Sequence, residues 1–332
     1  MNELTKTETS SPYFSIVMPA HNEEEHIGSC LRSVFSSDYD SAQYEVIVVD
    51  NGSQDRTREI ALNTGQARVF ELTEGNVGAV RNYGAAKARG QILVFIDADC
   101  LMDKDWLNRA EKLIKDRPNT AYGGGVKLPS NATWVETSWL LEDSEGQPTL
   151  PKHLIGASTM LPRKLFFQID GFNELVSSGE DTDLHNRLLS ENSAVFICHS
   201  LDVTHLGNAK TPMQFINRQI WHSENYTDNL KKSFKDPIFL ITLLFIFLLL
   251  SLIIQIMVSK NTFLIAITLA ALLTTPSLLS LKRLIRSGNF TKTPSEILKI
   301  YCLDLMYLVG RSLGTLKSLI RSTTNLTKNK RD

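Results

Sequence analysis

Short, nearly continuous apolar runs, each followed by polar residues, recur through the first two thirds of the chain. They occupy residues 14–20, 44–50 and 92–96. Strands covered by helices on both faces have this pattern, whereas strands with one wet face alternate between apolar and polar residues. Stretches with helical spacing separate the runs and stop at Gly65 and Gly90. The pattern predicts repeated β-α units and therefore an α/β fold with a mostly parallel sheet between two layers of helices.

Three of the predicted strands end in polar residues. The first ends at Ala20 and leads to Glu23, the second ends at Asp50, and the third is followed by Asp97 and Asp99. Because open α/β sheets bind ligands at the carboxyl ends of their strands, we expect one site for a phosphorylated or nucleotide-like ligand at this edge. Neither common phosphate-binding motif, Gly-x-x-x-x-Gly-Lys-Ser/Thr or Gly-x-Gly-x-x-Gly, follows the first strand.

Asp97 and Asp99, two residues apart, fit two interpretations. Two hard oxygen ligands suit Mg²⁺ or Mn²⁺, but aspartate also shapes turns and caps helices. Without a phosphate-binding loop, a diphosphate is held by a divalent metal and an arginine, and Arg81 near a predicted helix start is the candidate. An exposed arginine on a helix surface is the ordinary alternative.

Other polar residues have both a structural and a functional interpretation. Asn22 and Glu25 are spaced as a capping box for the first helix. Asp181 either closes a capping box with Ser178 or acts as a general base at the metal edge. His205 is either a metal ligand or an ordinary, partly buried imidazole.

The middle of the chain continues the alternation of strands and helices. We expect a further strand over residues 155–160, after a polar loop over 142–152 with the length of a functional lid. The four cysteines are scattered, so they predict neither a zinc site nor a disulfide framework and fit a reducing compartment. A net charge of −1 gives no basic field for nucleic acid, so we expect no nucleic-acid partner.

The composition changes at Pro237. Residues 237–258 and 262–281 carry no formal charge and are each long enough to span a membrane, with a buried core hairpin as the alternative. Basic residues flank the pair on its outer sides, at Lys231, Lys232, Lys235, Lys282, Arg283 and Arg286. Since only Lys260 lies between the two stretches, the positive-inside rule places both ends and the catalytic part in the cytoplasm, as a multi-pass protein of the cell membrane.

Two amphipathic segments flank these stretches. Residues 211–236 suit an interfacial helix, although Arg218 and Trp221 could instead line the predicted site. Residues 293–321 begin with a capping box and carry charges within their apolar run. We therefore expect this second helix to lie in the cytoplasmic interface or to pack on the soluble domain.

These patterns predict a division of the chain. The N-terminus is polar and has no apolar segment of the kind found in signal peptides, so we expect a loose tail. No pattern predicts an oligomeric state. The predicted parts are a tail over 1–12, the α/β domain over 13–210, an interfacial helix over 211–236, two transmembrane helices over 237–281, an amphipathic helix over 293–321 and a tail over 322–332.

Several motifs occur in the order in which family 2 glycosyltransferases carry them. They are Pro19-Ala-His-Asn-Glu23, Asp50-Asn-Gly-Ser53-Gln-Asp55, Gly75-Asn-Val-Gly78 through Gly84, Asp97-Ala98-Asp99, Gly171-Phe-Asn-Glu174 and Gly179-Glu180-Asp181. Residues 14–226 thus resemble this family. The resemblance implies the GT-A nucleotide-sugar-binding fold, a nucleoside diphosphate sugar as donor, Mg²⁺ or Mn²⁺ as cofactor, and inversion at the anomeric centre.

The resemblance also implies roles for single residues. Its donor-binding positions are Pro19, Ala20, Glu23, Asp50, Ser53, Asp55, Arg81, Asp97, Ala98 and Asp99. Within this set, it implies that Asp50 binds the base, expected to be uracil, and that Ala20 and Glu23 line the nucleoside pocket. Arg81 is implied to contact the diphosphate, and Asp99, helped by Asp97, to hold the metal.

On the acceptor side, the resemblance implies that Asp181 is the base and that Gly179 and Glu180 face the acceptor. Processive family members carry Gln-x-x-Arg-Trp after the base, and the nearest match here, residues 218–221, departs from it. We therefore expect transfer of a single sugar to a lipid-linked or other membrane-proximal saccharide acceptor.

Two other functions compete with this expectation. A sugar-phosphate nucleotidyltransferase shares the α/β nucleotide site, but it needs a glycine-rich first loop followed by Arg and Lys, which residues 19–23 lack. A catalytically inert membrane scaffold is the other, and the presence of Asp97, Asp99 and Asp181 argues against it.

Overall fold

The computed structural model describes residues 12–176, 178–224, 226–227, 230–259 and 261–328. The predicted tails therefore lie outside the described residues over 1–11 and 329–332. The chain forms two compact units. The first comprises Met1–Pro129 and Leu150–Gly207, and the second comprises Ser130–Thr149 and Asn208–Asp332.

The first unit holds the strands and six of the helices of the described residues. The strands are β1 (Phe14–Ala20), β2 (Tyr44–Asp50), β3 (Arg68–Glu71), β4 (Ile92–Phe95), β5 (Cys100–Leu101), β6 (Ala121–Gly123), β7 (Val126–Lys127), β8 (Thr159–Pro162), β9 (Val195–Ile197) and β10 (Val203–His205). The helices are α1 (Ile27–Phe35), α2 (Thr57–Asn63), α3 (Val77–Lys87), α4 (Trp106–Asp116), α6 (Arg163–Gln168) and α7 (Glu180–Ser190).

The main sheet is mixed but mostly parallel. Its order is β3-β2-β1-β4-β8-β6-β9 among the described residues. The strands β1 to β4 run parallel, β8 is antiparallel to both of its neighbours, and β9 is parallel to β6. The predicted α/β fold is therefore confirmed. The strand predicted over 155–160 begins only at Thr159, because Ile155 and Ser158 pair with each other across a turn.

Both faces of the sheet are buried, as the nearly continuous apolar runs predict. On β1, Ile16 and Met18 pack in one cluster with Trp106, while Val17 between them packs in the other with Phe95. Residues of α1, α2 and α4 belong to the first cluster, and residues of α3, α6 and α7 belong to the second. The strands are thus held between two helical layers, with their carboxyl ends free to form a site.

Gly84 brings α3 unusually close to the sheet. A Cβ at this position would lie 2.4 Å from Val17 Cγ1 and 3.1 Å from Val49 Cγ2. Gly90, predicted as a left-handed helix cap, is instead a packing glycine, since α3 ends at Lys87 and a Cβ at Gly90 would lie 2.8 Å from the Ser15 nitrogen. Because Gly84 has no side chain, α3, which carries Arg81, lies closer to the sheet than a larger residue would allow.

The predicted cap of the first helix is wrong. Helix α1 begins at Ile27 after His26, whose side chain makes no capping bond. Asn22 has a left-handed backbone (φ 55°), and its side-chain oxygen accepts a hydrogen bond from the Gln54 nitrogen at 2.8 Å. The asparagine therefore joins the loops after β1 and β2 instead of starting a helix.

The second unit is helical. Its elements are α5 (Trp134–Trp139), α8 (Pro212–Ser223), α9 (Leu230–Ser233), α10 (Pro237–Ile254), a π-helical turn (Gln255–Ser259), α11 (Thr262–Ser287) and α12 (Pro294–Lys328). The single helix predicted over 211–236 is thus two helices, α8 and α9, in the described residues. Two helical segments, Pro237–Val258 and Thr262–Ser287, are long and apolar enough to cross a membrane.

Charges within α12 take part in helix packing. Asp304 is buried and accepts hydrogen bonds from Arg283 Nη1 and from Ser280 Oγ of α11, both at 2.7 Å. Gly310 and Gly314, one helical turn apart, face α8, where added Cβ atoms would lie 2.9 Å from the Ile216 oxygen and 2.3 Å from the Ile220 oxygen. Such a small-xxx-small pair lets two helix backbones approach closely.

Replacing Gly84 with valine tests the close approach of α3. We expect a loss of about 1–3 kcal/mol in the free energy of unfolding, because the side chain overpacks the sheet. Ala86→Val on the exposed side of the same helix is the matched control, with an expected change within about 0.5 kcal/mol. Thermal unfolding of the full chain in detergent measures both, and equal losses in the two variants would contradict the account.

Candidate active site

The loops that follow β1 and β2 are joined by hydrogen bonds at the carboxyl edge of the sheet. The Glu23 nitrogen donates to Thr57 Oγ1 at 2.6 Å, and the Asn22 nitrogen donates to Ser53 Oγ at 3.0 Å. Asp55, predicted to bind the donor, accepts from the Thr57 nitrogen at 2.9 Å and from the Glu24 nitrogen at 3.1 Å. Its carboxylate therefore fixes the two loops relative to each other.

Asp50 lies at the end of β2 with one carboxylate oxygen left unsatisfied. The side chain is 2% exposed, and its Oδ2 accepts from the Ser53 nitrogen at 3.2 Å. Its Oδ1 is buried and has no hydrogen-bond partner in the part of the chain that the structure describes. A buried acceptor without a donor is costly. The N–H group of a ligand base would satisfy it, as the resemblance implies. Of the neighbouring predicted residues, Ala20 is buried and Pro19 is half-buried.

Arg81 is buried, with an exposed fraction of 3%, and it bridges two carboxylates. Its Nη2 donates to Asp97 Oδ1 at 2.7 Å, and its Nη1 donates to Glu180 Oε1 at 2.6 Å. Burial lowers the pKa of Arg81, but Asp97 and Glu180 raise it, with a net increase. The guanidinium also lies over the ring of Phe172, 5.4 Å from its centre. Arg81 thus links α3 to the residues after β4 and to α7. The alternative of an exposed arginine on a helix surface is therefore wrong.

The turn at Gly156 packs directly against this arginine. A Cβ at Gly156 would lie 2.0 Å from Arg81 Nη2, so a larger residue here would displace the guanidinium. The Gly156 nitrogen donates to Asp181 Oδ2 at 3.3 Å, and the Thr182 nitrogen donates to Asp181 Oδ1 at 2.6 Å. Arg81 therefore positions, through Gly156, the carboxylate predicted as the base.

The capping box predicted between Ser178 and Asp181 is wrong. Helix α7 is preceded by Gly179 in a left-handed conformation (φ 80°), and no side chain caps it. Because glycine tolerates this backbone, the chain turns into α7 without using the Asp181 carboxylate as a cap. Asp181 is half-buried, and Glu180, the first residue of the helix, turns inward to Arg81.

Asp99 lies beside His205 because of a small second sheet. Strand β5 pairs antiparallel with β10, which places Cys100 opposite His205, and β10 also pairs with β7. His205 Nε2 lies 3.2 Å from Asp99 Oδ2. The Leu206 nitrogen donates to the Asp99 oxygen at 2.8 Å. This short ladder brings a histidine 106 positions further along the chain to the aspartate of the predicted metal motif.

The donor atoms around Asp99 fit a divalent cation. Potential ligand atoms of Asp99, Cys100 and His205 all lie within 4.8 Å of one another. Burial and the charge of Asp99 raise the pKa of the Cys100 thiol well above its usual range, so it stays protonated. The remaining oxygen and imidazole donors suit Mn²⁺, or Mg²⁺ with water. A Cβ at Gly207 would lie 2.0 Å from Asp99 Oδ2, so a larger residue there would displace this carboxylate.

The pKa of Glu23 reflects the negative charge at this edge of the sheet. Burial, followed by the charges of Asp99, Asp97 and Asp55, raises the pKa of Glu23 to about 7. Like charges that approach without a cation disfavour ionisation. The raised pKa therefore indicates that this edge favours the binding of a cation.

The structure brings together most of the residues predicted for the site. Asp50, Arg81, Asp99, Asp181 and their neighbours belong to the first unit. Ala98, from the metal motif, is buried. Arg218 and Trp221 lie on α8 of the second unit, so their role on the acceptor side stays a prediction.

Sequence reasoning missed the glycines that fit the site, at 156 and 207. Gly156 accommodates Arg81, and Gly207 accommodates Asp99. Neither lies in a motif that the sequence revealed. The strand β5, which is two residues long, was also missed.

Part of the chain is similar in sequence to known glycosyltransferases. Residues 15–164 match the family model described as Glycosyl transferase family 2. A 132-residue segment is 38% identical to glycosyltransferase AglE of Haloferax volcanii, covering 38% of this chain and 43% of that protein. A 124-residue segment is 27% identical to the dolichyl N-acetyl-alpha-D-glucosaminyl phosphate 3-beta-D-2,3-diacetamido-2,3-dideoxy-beta-D-glucuronosyltransferase of Methanococcus voltae, covering 34% of this chain and 39% of that protein. The matched segment thus spans less than half the length of these relatives.

A solved structure shares the fold. The mannosyltransferase PcManGT from Pyrobaculum calidifontis, in complex with GDP-Man and Mn²⁺, aligns with a TM-score of 0.57 at 18% identity. The alignment covers 92% of this chain and 87% of that one. At this identity the likeness concerns the fold alone, and it confirms the expected GT-A architecture.

Replacing Glu23 with glutamine tests the charge of the edge. Because the folded-state pKa is raised, ionisation of Glu23 destabilises the fold progressively as pH rises from about 4.5 through about 7. In the metal-free full chain, we expect Glu23→Gln to raise the melting temperature at about pH 8 and to leave it unchanged at about pH 4.5. The exposed Glu74→Gln is the control, with no such pH dependence. An equal shift at both pH values would contradict the assignment.

Proposed function

We propose that this chain, whose residues 15–164 match glycosyl transferase family 2, transfers one sugar from a UDP-sugar to a hydroxyl of a lipid-linked or membrane-proximal acceptor. The main observation in support is that the buried Arg81 forms ion pairs with both Asp97 and Glu180. It assembles the predicted metal edge and the predicted base in one unit. The reaction is an inverting displacement.

On the donor side, the unsatisfied Asp50 Oδ1 accepts the N–H of the base, and the loop of Ala20 and Glu23 lines the nucleoside. Asp99 holds the divalent cation, with His205 as a second ligand and Asp97 held nearby by Arg81. The cation, when bound, neutralises charge on the leaving nucleoside diphosphate. The buried arginine adds fixed positive charge at the same edge.

On the acceptor side, Asp181 takes the proton from the attacking hydroxyl. Two backbone N–H groups, those of Gly156 and Thr182, hold its carboxylate in place. Displacement from the face opposite the leaving group then inverts the anomeric centre. No covalent intermediate with an enzyme nucleophile is required.

The apolar helices support action at a membrane. Pro237–Val258 and Thr262–Ser287 have the length and hydropathy of membrane spans. Basic residues precede the first span at 231, 232 and 235 and occupy the end of the second at 282, 283 and 286. Only Lys260 lies between the two spans, which favours a cytoplasmic catalytic domain. A lipid-linked acceptor would be presented at this surface. The Methanococcus voltae relative is named as a transferase that acts on dolichyl N-acetyl-alpha-D-glucosaminyl phosphate.

Binding of nucleotide sugars tests the donor. The full chain in detergent is heated with UDP-, GDP-, CDP- and dTDP-sugars, with and without Mn²⁺, and the melting temperature is recorded. We expect stabilisation by a UDP-sugar that requires Mn²⁺ or Mg²⁺. Failure of every sugar nucleotide to bind would contradict the proposal, and release of pyrophosphate from a nucleoside triphosphate would support a nucleotidyltransferase instead.

Asp181→Asn separates binding from catalysis. We expect Mn²⁺–UDP binding to persist and sugar transfer to fall by about 10²–10⁴-fold, because the amide cannot accept the proton. Glu191→Gln, exposed at the end of the same helix, is the control and should transfer sugar at the parental rate. Transfer is followed with a radiolabelled donor, and an unchanged rate in Asp181→Asn would remove this residue from the mechanism.

A further inference from the structure

The second unit contains a polar cavity of its own. It has a volume of about 180 Å³ and lies among α5, α8 and α12. Glu136, Trp139, Arg218, Gln219, Tyr307 and Arg311 contribute to its lining. Pockets for drug-sized ligands measure about 300–1,000 Å³, so this smaller cavity suits a compact headgroup and not a whole drug-sized ligand.

Positive charge dominates one side of the cavity. Arg218 and Arg311 carry permanent charges, and His222 lies beside them in the lining. Burial and the charges of Arg311 and Arg218 lower the pKa of His222 to about 4, so the imidazole is neutral near pH 7. Arg311 is held in place, since its Nη1 donates to Tyr226 Oη at 3.0 Å and its guanidinium lies 5.0 Å from the centre of the Tyr307 ring.

Two buried acceptors in the lining lack donors. Glu136 is 1% exposed, and its Oε2 accepts from the Thr133 nitrogen and hydroxyl in a capping box, but its Oε1 has no partner in the described part of the chain. Gln219 is 3% exposed, and its Oε1 is likewise without a partner among the described residues. Such atoms cost free energy unless a ligand or water donates to them.

Close helix packing fixes the shape of the cavity. Gly310 and Gly314 allow α12 to lie directly on α8, where Arg311 Nη1 donates to the His222 backbone oxygen at 3.3 Å. Trp139 of α5 stacks on Tyr307 of α12, with ring centres 5.5 Å apart. The cavity is therefore preformed by three helices.

We propose that this cavity binds a phosphorylated sugar headgroup. Its phosphate lies against the guanidinium groups of Arg218 and Arg311, which suit phosphate oxygens. Hydroxyl groups of the sugar donate to Glu136 Oε1 and Gln219 Oε1. The aromatic side chains of Trp139 and Tyr307 add the apolar surface that ligand pockets combine with a few polar groups.

This inference deepens the proposed function, on which it rests for the identity of the ligand as the acceptor. Arg218 and Arg311 both line the cavity and offer the planar N–H groups that suit phosphate oxygens, whereas a neutral saccharide has no such oxygens. The acceptor class is therefore a sugar phosphate, carried either on a lipid or free in solution.

Binding to the full chain in phosphatidylcholine nanodiscs tests this site while saturating Mn²⁺–UDP fills the donor site. The probes are N-acetylglucosamine 1-phosphate, inorganic phosphate, methyl N-acetylglucosaminide and N-acetylglucosamine on a polyprenyl diphosphate. We expect the sugar phosphate to bind about tenfold tighter than the phosphate or the glycoside alone, since both halves of the site are then used. Tighter binding of the lipid-linked probe assigns a lipid source, and equal binding assigns a free sugar phosphate.

Three variants connect binding to the cavity. Arg311→Gln should weaken sugar-phosphate binding about tenfold, as expected for loss of a charged hydrogen-bond donor. Lys299→Gln, an exposed position on the same helix, changes the charge equally and should have no effect. Glu136→Gln keeps the capping box and removes a negative charge, so inorganic phosphate should bind about fivefold tighter. This variant keeps the test decisive if Arg311→Gln does not fold.

Absence of phosphate-dependent binding in the parent chain would overturn the inference, as would equal weakening by Arg311→Gln and Lys299→Gln. Unchanged phosphate binding in Glu136→Gln would also count against it. Binding of Mn²⁺–UDP to the parent chain is measured separately. If the chain binds Mn²⁺–UDP but no sugar phosphate, the proposed function stands and the cavity is not the acceptor site. If it binds the sugar phosphate but not Mn²⁺–UDP, only the assignment of the donor is wrong.

Discussion

The buried guanidinium of Arg81 is the constraint on which the site depends. Removing a charge from water is costly, and a buried ion pair recovers that cost only with close geometry and satisfied partners. Arg81 meets this condition with Asp97 and Glu180, at 2.7 and 2.6 Å. Loss of the guanidinium would leave both carboxylates without their cationic partner. Arg81 therefore fixes three segments relative to one another: the end of β4, the start of α7 and the turn at Gly156.

The same constraint explains the electrostatics of the edge. Arg81 is already committed to two carboxylates, so it does not offset the charges of Asp99 and Glu23. The raised pKa of Glu23 follows from burial and from these neighbouring carboxylates. A divalent cation at Asp99 would offset this negative charge. Arg81 thus acts mainly as a positioning residue for the metal edge and, through Gly156, for Asp181.

Much of the fold was predictable because local pattern and global structure agree. The apolar runs at β1, β2 and β4 mark strands buried on both faces, and the polar residues that follow them meet at one edge. The pairing of Asp99 with His205 was not predictable in this way. It depends on strands of two and three residues, which are too short to show a periodic pattern. The partners of Arg81 were equally hidden, since Glu180 lies 99 positions away. The capping box at Asn22 and the one considered for Asp181 do not form, because both side chains contact other loops, which sequence spacing does not reveal. The box predicted at Thr293 and Glu296 does form.

Binding of Mn²⁺ to Arg81→Lys tests the central claim most directly. Lysine keeps the charge, but a single ammonium group does not reproduce the two-sided bridge of the guanidinium. Electron paramagnetic resonance would measure free Mn²⁺ during titration of the full chain with UDP present, while circular dichroism checks the fold. The account predicts that a folded Arg81→Lys chain binds Mn²⁺–UDP about 10- to 100-fold more weakly than the parent chain, as expected when a residue that orients a metal ligand is changed. Equal affinity in the two chains would contradict it.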